Sequence, residues 1–502
     1  MSIGKLLKSV RIPVICAGLL FGLAQSWAGG MTPLVRRGSM ESLATVPGTA
    51  AGPQYGLFTC QVVNPARPDA CYDPYQMRRA YQVDGLIGQA FDGTGQTIVI
   101  VDAFQNPALV AQIATFNAFY GLPPTELVQI APDGLTPFNP TDANMGGWAE
   151  EISLDVEWAH AIAPGARIVL VLAKTNEDSD ILSALKYAVD NRLGNIISMS
   201  FGENESCVDP AAVIAYHDIF ANATRQNITL FASSADQGAA LQTCDGKSWV
   251  RAASHPASDP LVTGVGGTEL RAAKYCLSSL GCDTNANPPF GTWLSEIAWN
   301  EGLPYGDFGD VFGYGTLASG GGFSVIFDEP PYQKATLPGG KQRAVPDVAY
   351  NAAVEHGVLT RLDIPGIPPG YYRFGGTSAG APQWAAIAAI ANQRAGHPLG
   401  FLNAAIYQVG KLKTTYPLAF HDITSGTNSS LQFDSKNQPV NIAGYSAGPG
   451  WDPVTGFGSP IASTLVDLLA KYVSPGDGTA AIATTKPKPH AKPVVPGKMQ
   501  PH

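Results

Sequence analysis

Thr97-Ile98-Val99-Ile100-Val101-Asp102 is an apolar run without alternation, closed by a carboxylate. Alternating polarity would mark a strand with one wet face. A continuous β-branched run marks a strand covered on both faces, as in a parallel sheet sandwiched by helices. Residues 167–172 (RIVLVL), 195–201 (NIISMSF) and 228–232 (ITLFA) have the same character. Between and after them, the spacing predicts helices over roughly 106–120, 147–161, 179–191 and 211–226. This alternation predicts one large α/β domain over residues 56–473: a doubly wound, mainly parallel sheet flanked by helices.

Gly375-Gly376-Thr377-Ser378-Ala379-Gly380-Ala381-Pro382 runs into an Ala-rich helical pattern, 384–392 (WAAIAAIAN). Small residues around Ser378 let a substrate backbone approach its hydroxyl, and a helix start favours developing negative charge. The bland alternative is a Gly turn with Ser as a cap. A nucleophile needs a base, and carboxylates offer one. In residues 148–159 (WAEEISLDVEWA), Glu151 and Asp155 are four apart, on one helix face and within mutual reach. Glu151 can take the Ser378 proton while Asp155 orients Glu151, the two titrating as a coupled pair. Glu150 and Glu157 are expected on a solvated face. His160, just before Ala163-Pro164-Gly165, is expected to be a partly buried structural histidine. Asp236, in Ser234-Ala235-Asp236-Gln237-Gly238, follows an apolar strand whose end faces the cleft of such a sheet. A protonated carboxyl there can donate to an oxyanion.

Glu151-x-x-x-Asp155, Ser234 to Gly238 and Gly376-Thr377-Ser378-Ala379-x-x-Pro382 together resemble the sedolisins, the serine-carboxyl peptidases. The resemblance covers most of residues 72 to 472. It takes in His255-Pro256-Ala257-Ser258 with Val265-Gly266-Gly267-Thr268, Ser319-Gly320-Gly321-Gly322-Phe323-Ser324 and Arg343-Ala344-Val345-Pro346-Asp347-Val348. It implies a subtilisin-like fold and acid-side hydrolysis of protein or peptide substrates. Ser378 would be the nucleophile, Glu151 the general base and acid, Asp155 its partner and Asp236 the oxyanion donor. The family pattern Ser-Gly-Asp-Ser-Gly reads Ser-Ala-Asp-Gln-Gly here, a departure bearing on the loop's geometry. Asp102 ends its strand where subtilisins carry a triad aspartate, and is expected to be structural because Asp155 takes that role. One rival is a subtilisin-type hydrolase using His160 or His255, against which none of the eight histidines lies in a His-Gly-Thr/Ser helix start. Another is a catalytically silent peptide-binding module on the same scaffold.

The resemblance also implies one structural calcium ion in a C-terminal calcium-binding segment, with Asp422 and Asp452 giving carboxylates and Ile423, Gly448 and Gly450 giving carbonyls. Hard cations take oxygen ligands of this kind from tight Gly-rich turns, although Asx turns explain such residues equally well without the family.

Lys5, Lys8 and Arg11 precede an apolar run to Ala24 and a small-x-small Ser26-Trp27-Ala28, so residues 1–28 are expected to be a secretory signal peptide. A secreted or periplasmic location and no membrane attachment after signal removal follow as expectations. Six of the seven cysteines then remain, Cys60, Cys71, Cys207, Cys244, Cys276 and Cys282, with nearest-neighbour disulfides the simplest pairing. The net charge of −9 with no basic patch argues against nucleic acid. A charged fraction of only 14% limits self-repulsion on titration, which favours acid tolerance. A monomer is expected. Residues 29–55 read as a short N-terminal extension, and residues 474–502, with their Lys-Pro repeats, as a flexible tail. Family members usually carry a long propeptide domain. The roughly forty residues between Ala28 and Tyr72 are too few for an independent unit. Unaided folding, a separate assisting chain, restraint by acidity alone and short processing within 29–53 all stay open.

Overall fold

The strand Thr97–Ala103 lies inside an eight-stranded sheet, hydrogen-bonded in parallel to Arg167–Ala173 on one side and Ile196–Met199 on the other. From one edge, the order is Trp293–Ala298, Thr263–Ala272, Thr229–Ser233, Ile196–Met199, Thr97–Ala103, Arg167–Ala173 and Leu127–Ile130. Val348–Asn351 also pairs with Thr263–Ala272. Within this sheet only Trp293–Ala298 runs antiparallel. The computed structural model describes residues 30–43, 56–64, 67–277, 282–302, 315–334, 336–337, 340–474 and 476–488. The expected signal peptide lies outside them.

Alternate side chains of the central strand feed two cores, because successive Cβ atoms point to opposite faces. Ile98 and Ile100 pack with Ile113, Ile152 and Ile387, from the helices Leu109–Tyr120, Ala143–Ile162 and Gly380–Ala395. Val99 and Val101 pack with Leu185 and Phe220, from Asp178–Asp190 and Pro210–Arg225. The sheet is thus doubly wound, with the subtilisin-like layering expected.

Four local features differ from the sequence reading. The helix expected from 147 begins at Ala143, because the Asp142 side chain accepts from the Asn144 and Met145 amides and overrides the unfavourable Gly146-Gly147 pair. The strand expected over 195–201 leaves the central sheet at Ser200. Phe201–Asn204 pairs instead with Ser254–His255 and with Thr32–Pro33. Glu150 and Glu157 are buried rather than solvated, because the helix from Trp148 to Ile162 is covered on every side. Glu157 accepts from Gln112 and from the Arg361 amide, and Glu150 faces Arg37 at 3.4 Å. Part of the expected flexible tail is ordered: Asp477–Thr484 is a helix, and its Ala481 is buried in the core with Phe220.

Three disulfides join nearest neighbours, Cys60–Cys71, Cys207–Cys244 and Cys276–Cys282. Among the described residues no helix is long and apolar enough to cross a membrane.

The Arg343 to Val348 motif is explained by a fully buried ion pair. Arg343 donates to both Asp347 oxygens at 2.5 and 2.6 Å, and Asp347 also accepts from the Gly264 amide and the Tyr407 hydroxyl. Removing one partner leaves an uncompensated charge in the core. Asp347→Ala is therefore expected to cost roughly 3–5 kcal/mol of stability in denaturant titration; a loss below about 1 kcal/mol would contradict this role.

Candidate active site

Ser378 stands in a short turn at the start of the helix Gly380–Ala395, directly after the strand Gly370–Gly375. Its hydroxyl donates to Glu151 Oε2 at 2.9 Å and lies 3.3 Å from the Ser200 carbonyl oxygen. Glu151 projects from the middle of Ala143–Ile162, and Asp155, one turn on, accepts from the Ser200 hydroxyl at 2.8 Å. Asp236 reaches the same place from the loop after Thr229–Ser233. Its Oδ1 accepts from the Thr377 amide at 2.7 Å and the Thr377 hydroxyl at 2.9 Å, while its Oδ2 lies 3.1 Å from Arg36 Nε. Glu151, Asp155, Asp236 and Ser378, expected from the sequence, therefore meet in one cleft, and all four are fully buried.

Small residues make the meeting sterically feasible. Gly376 has φ +94°, and a Cβ there would collide with Asp236 Oδ2 and with the Leu34 carbonyl oxygen. A Cβ on Gly320 would overlap the Ser234 carbonyl, which accounts for the Ser-Gly-Gly-Gly motif: Gly320 donates to the Ala235 carbonyl and accepts from the Ser234 hydroxyl. Ala235 itself has φ +98°, on the left-handed side that glycine occupies without strain. The Ala-for-Gly departure thus leaves the loop in a glycine-like conformation at a steric cost.

Burial in a low-dielectric cleft disfavours the charged form of every carboxyl here. It pushes Glu151 well above the ordinary carboxylate range, and Asp155, Asp102 and Asp236 add repulsion. Asp155 is raised by burial and then by Asp102. Burial also raises Asp236, opposed by Arg36 and the two Thr377 hydrogen bonds.

Asp102 was read as merely structural from the sequence. It is fully buried, and neither of its oxygens has a hydrogen-bond partner among the described residues. It acts electrostatically on both Glu151 and Asp155, and burial pushes it up to about 8. Its place at a strand end was the available signal. Ser200 and Arg36 gave none, since their roles arise from contacts over long sequence separations. His160 is fully buried with Nε2 2.9 Å from the Pro123 carbonyl, and burial lowers it to about 4. His255 packs on the rings of Tyr216 and Phe220. Ser378 donates to neither histidine.

The expected cation ligands gather in one loop cluster. Asp422 accepts from the Gly450 amide and the Tyr416 hydroxyl, and Asp452 accepts from the Gly448, Val454 and Thr455 amides. Both carboxylates act on Tyr416, which places them in one neighbourhood. This all-oxygen donor set suits a hard cation. Among the described residues no three His, Cys, Asp or Glu side chains converge as metal ligands, so backbone carbonyls would have to supply much of the coordination.

No protein-family model matches the chain. Kumamolisin from Bacillus sp. (strain MN-32) is 34% identical over 421 residues, 82% of this chain and 65% of that protein. Tripeptidyl-peptidase 1 of Rattus norvegicus is 28% identical over 64% of this chain and 51% of its own length. The match thus spans between half and two thirds of these relatives. The solved Pseudomonas sedolisin, titled a serine-carboxyl proteinase, superposes with a TM-score of 0.65 at 25% identity, over 81% of this chain and all of that one. Fold and site together define a subtilisin-like α/β scaffold carrying a serine beside buried carboxyls. The chain belongs to the sedolisin family.

The raised carboxyls make stability pH-dependent. The folded state keeps protons that the unfolded chain releases, so each such group contributes fully below its unfolded value and loses that contribution as pH rises through its folded value. For Asp102 that window runs from 3.8 to about 8. For Glu150, Glu205 and Glu301 it runs from 4.5 to about 7. His160 and His356, lowered to about 4 and about 3, act oppositely, their contribution disappearing as pH falls below 6.5. Tm is expected to peak at about pH 4, where the carboxyl windows open and outnumber the two histidines, and to fall towards pH 8. Asp102→Asn should flatten that fall. Scanning calorimetry across pH checks both; a Tm maximum near pH 8 would contradict the account.

Proposed function

We propose that this chain is an extracytoplasmic, acid-active serine-carboxyl peptidase that hydrolyses protein or peptide substrates through an acyl-enzyme on Ser378. The observation that carries this reading is the Ser378 hydroxyl donating to Glu151 Oε2 at 2.9 Å inside a buried row of carboxyls. Ionised Glu151 takes the hydroxyl proton as Ser378 Oγ attacks the carbonyl carbon, then delivers it to the leaving amine. Asp155 shares a proton with Glu151 and so offsets the cost of a negative charge in a dry site. Asp236 has its Oδ1 occupied by Thr377, which leaves Oδ2 to carry a proton and donate to the developing oxyanion. Mild acid keeps that donor protonated, and the single proton shared between Glu151 and Asp155 leaves the pair able to accept the hydroxyl proton. Three disulfides accord with an oxidising compartment.

Hydrolysis of denatured protein is expected on the acid side and to fall away towards neutral pH. Ser378→Ala and Glu151→Gln should each lose about a thousandfold or more in kcat/KM. An optimum above neutrality, or activity surviving Ser378→Ala, would refute the assignment. A folded chain that binds peptides and cuts none at any pH would instead favour the silent binding module.

The cluster of Asp422, Ile423, Gly448, Gly450 and Asp452 we assign to one structural calcium ion, which when bound would fix the C-terminal loops. Chelation is expected to lower Tm, with saturating calcium contributing about 2.7 kcal/mol at a hundredfold excess over Kd. Asp452→Ala should abolish both that shift and the calorimetric binding signal. No calcium-dependent change in Tm would remove the ion from the account.

A further inference from the structure

Ser200 stands where the chain leaves the central sheet, between the strands Ile196–Met199 and Phe201–Asn204, and it is fully buried. It touches both ends of the proton path. Its hydroxyl donates to Asp155 Oδ1 at 2.8 Å. Its carbonyl oxygen, which accepts from the Leu34 amide at 3.2 Å, lies 3.3 Å from Ser378 Oγ. Ser378 in turn donates to Glu151 Oε2 at 2.9 Å. The circuit therefore runs Ser378, Glu151, Asp155, Ser200 and back to Ser378, and its remaining link lies between the two carboxyls, which are in hydrogen-bond contact. Glu151 Oε1 and Asp155 Oδ2 are buried, and neither receives a hydrogen bond from another donor among the described residues. Two ionised carboxylates offer only acceptors, so a proton shared between these two oxygens completes the circuit.

We propose that Ser200 is a positioning residue of this site: by occupying Asp155 Oδ1, it confines the proton shared by Asp155 and Glu151 to the two oxygens that face each other. The proposal rests on the peptidase reading and adds a residue to it. The consequence falls on Glu151 Oε2, the atom that faces the Ser378 hydroxyl. A proton held between Asp155 Oδ2 and Glu151 Oε1 leaves Oε2 bare, on whichever carboxyl it rests. Without the Ser200 hydroxyl, the proton is free to settle on Asp155 Oδ1, off the path, or on Glu151 Oε2, where it blocks the base. As Ser378 Oγ bonds to the substrate carbonyl carbon, its proton moves to Oε2 and the pair goes from one proton to two. The leaving amine takes that proton as the C–N bond breaks, and water then hydrolyses the ester by the same exchange.

The hydroxyl also favours the ionised pair, because donation to a charged oxygen is stronger than donation to a neutral one. The other charges that face the pair are Asp102, from the strand Thr97–Ala103, and Asp236, from the loop after Thr229–Ser233, with Arg36 set against Asp236. Burial holds Asp102 and Asp236 towards their neutral forms in acid. The low-pH limb of the rate profile therefore reports the Glu151–Asp155 pair.

The test is the pH profile of kcat and kcat/KM for the full chain on denatured protein, with Ser200→Ala and Ser200→Thr beside it. Ser200→Ala removes the hydroxyl and keeps the carbonyl. It is expected to move the low-pH limb up by about one pH unit and to lower kcat roughly tenfold, with KM little changed. Ser200→Thr keeps a hydroxyl and should restore the limb. If Ser200→Ala does not fold, Ser200→Cys, a weak donor of similar size, should move the limb the same way. A limb that stays in place in a folded variant overturns the positioning role and leaves the peptidase standing, since a packing loss lowers activity evenly across pH. If the unsubstituted chain hydrolyses nothing, the peptidase reading fails and infrared spectroscopy judges Ser200 alone. A buried carboxylic C=O band that moves to higher frequency in Ser200→Ala supports the role; a band identical in both chains overturns it.

Discussion

Several carboxyl groups share one dry space, and the rest of the site is arranged around that constraint. Glu151, Asp155, Asp102 and Asp236 are buried together, and Arg36 pairs with Asp236 at the edge of the row. Fully ionised, such a row would be strongly self-repelling and poorly solvated. It is therefore stable when it holds protons, and a site that holds protons suits acid-side chemistry. The chemistry and the pH dependence of stability thus have one physical origin.

The fold meets the constraint with rigid elements and small residues. A helix through the middle of the domain presents Glu151 and Asp155 from a single face, and two strand ends deliver Asp102 and Asp236. Glycine at 376 and 320 allows backbone approaches that any Cβ would block. Ala235 keeps a glycine-like conformation without being glycine, so that loop stores a little strain beside Asp236. Over this assembly lies residues 31–41, completing two sheets and supplying the arginine that partly compensates the buried charge.

The layering was legible in the sequence because unalternating apolar runs such as Thr97 to Asp102 leave few architectures open. The four site residues were legible because each belongs to a motif with local spacing. Three things were not. Glu150 and Glu157 looked like a solvated face, since periodicity cannot say how many sides of a helix are covered. Asp102 looked structural, since its effect on Glu151 and Asp155 depends on distances fixed only when strand and helix pack. The place of residues 31–41 over the site was invisible, because Leu34, Arg36 and Arg37 gain meaning only through pairing with Ser200, Asp236 and Glu150, more than a hundred residues away. The helix at 477–484 was hidden by the Lys-Pro composition that follows it.

The most direct measurement of the central claim is infrared difference spectroscopy of the folded chain at near-neutral pH, which counts protonated carboxyl groups by their C=O stretch. The account predicts a band from buried carboxylic acids that persists where exposed carboxylates are ionised and that weakens in Glu151→Gln, Asp155→Asn and Asp102→Asn. A spectrum in which every carboxyl is ionised at neutral pH, unchanged by these substitutions, would contradict it.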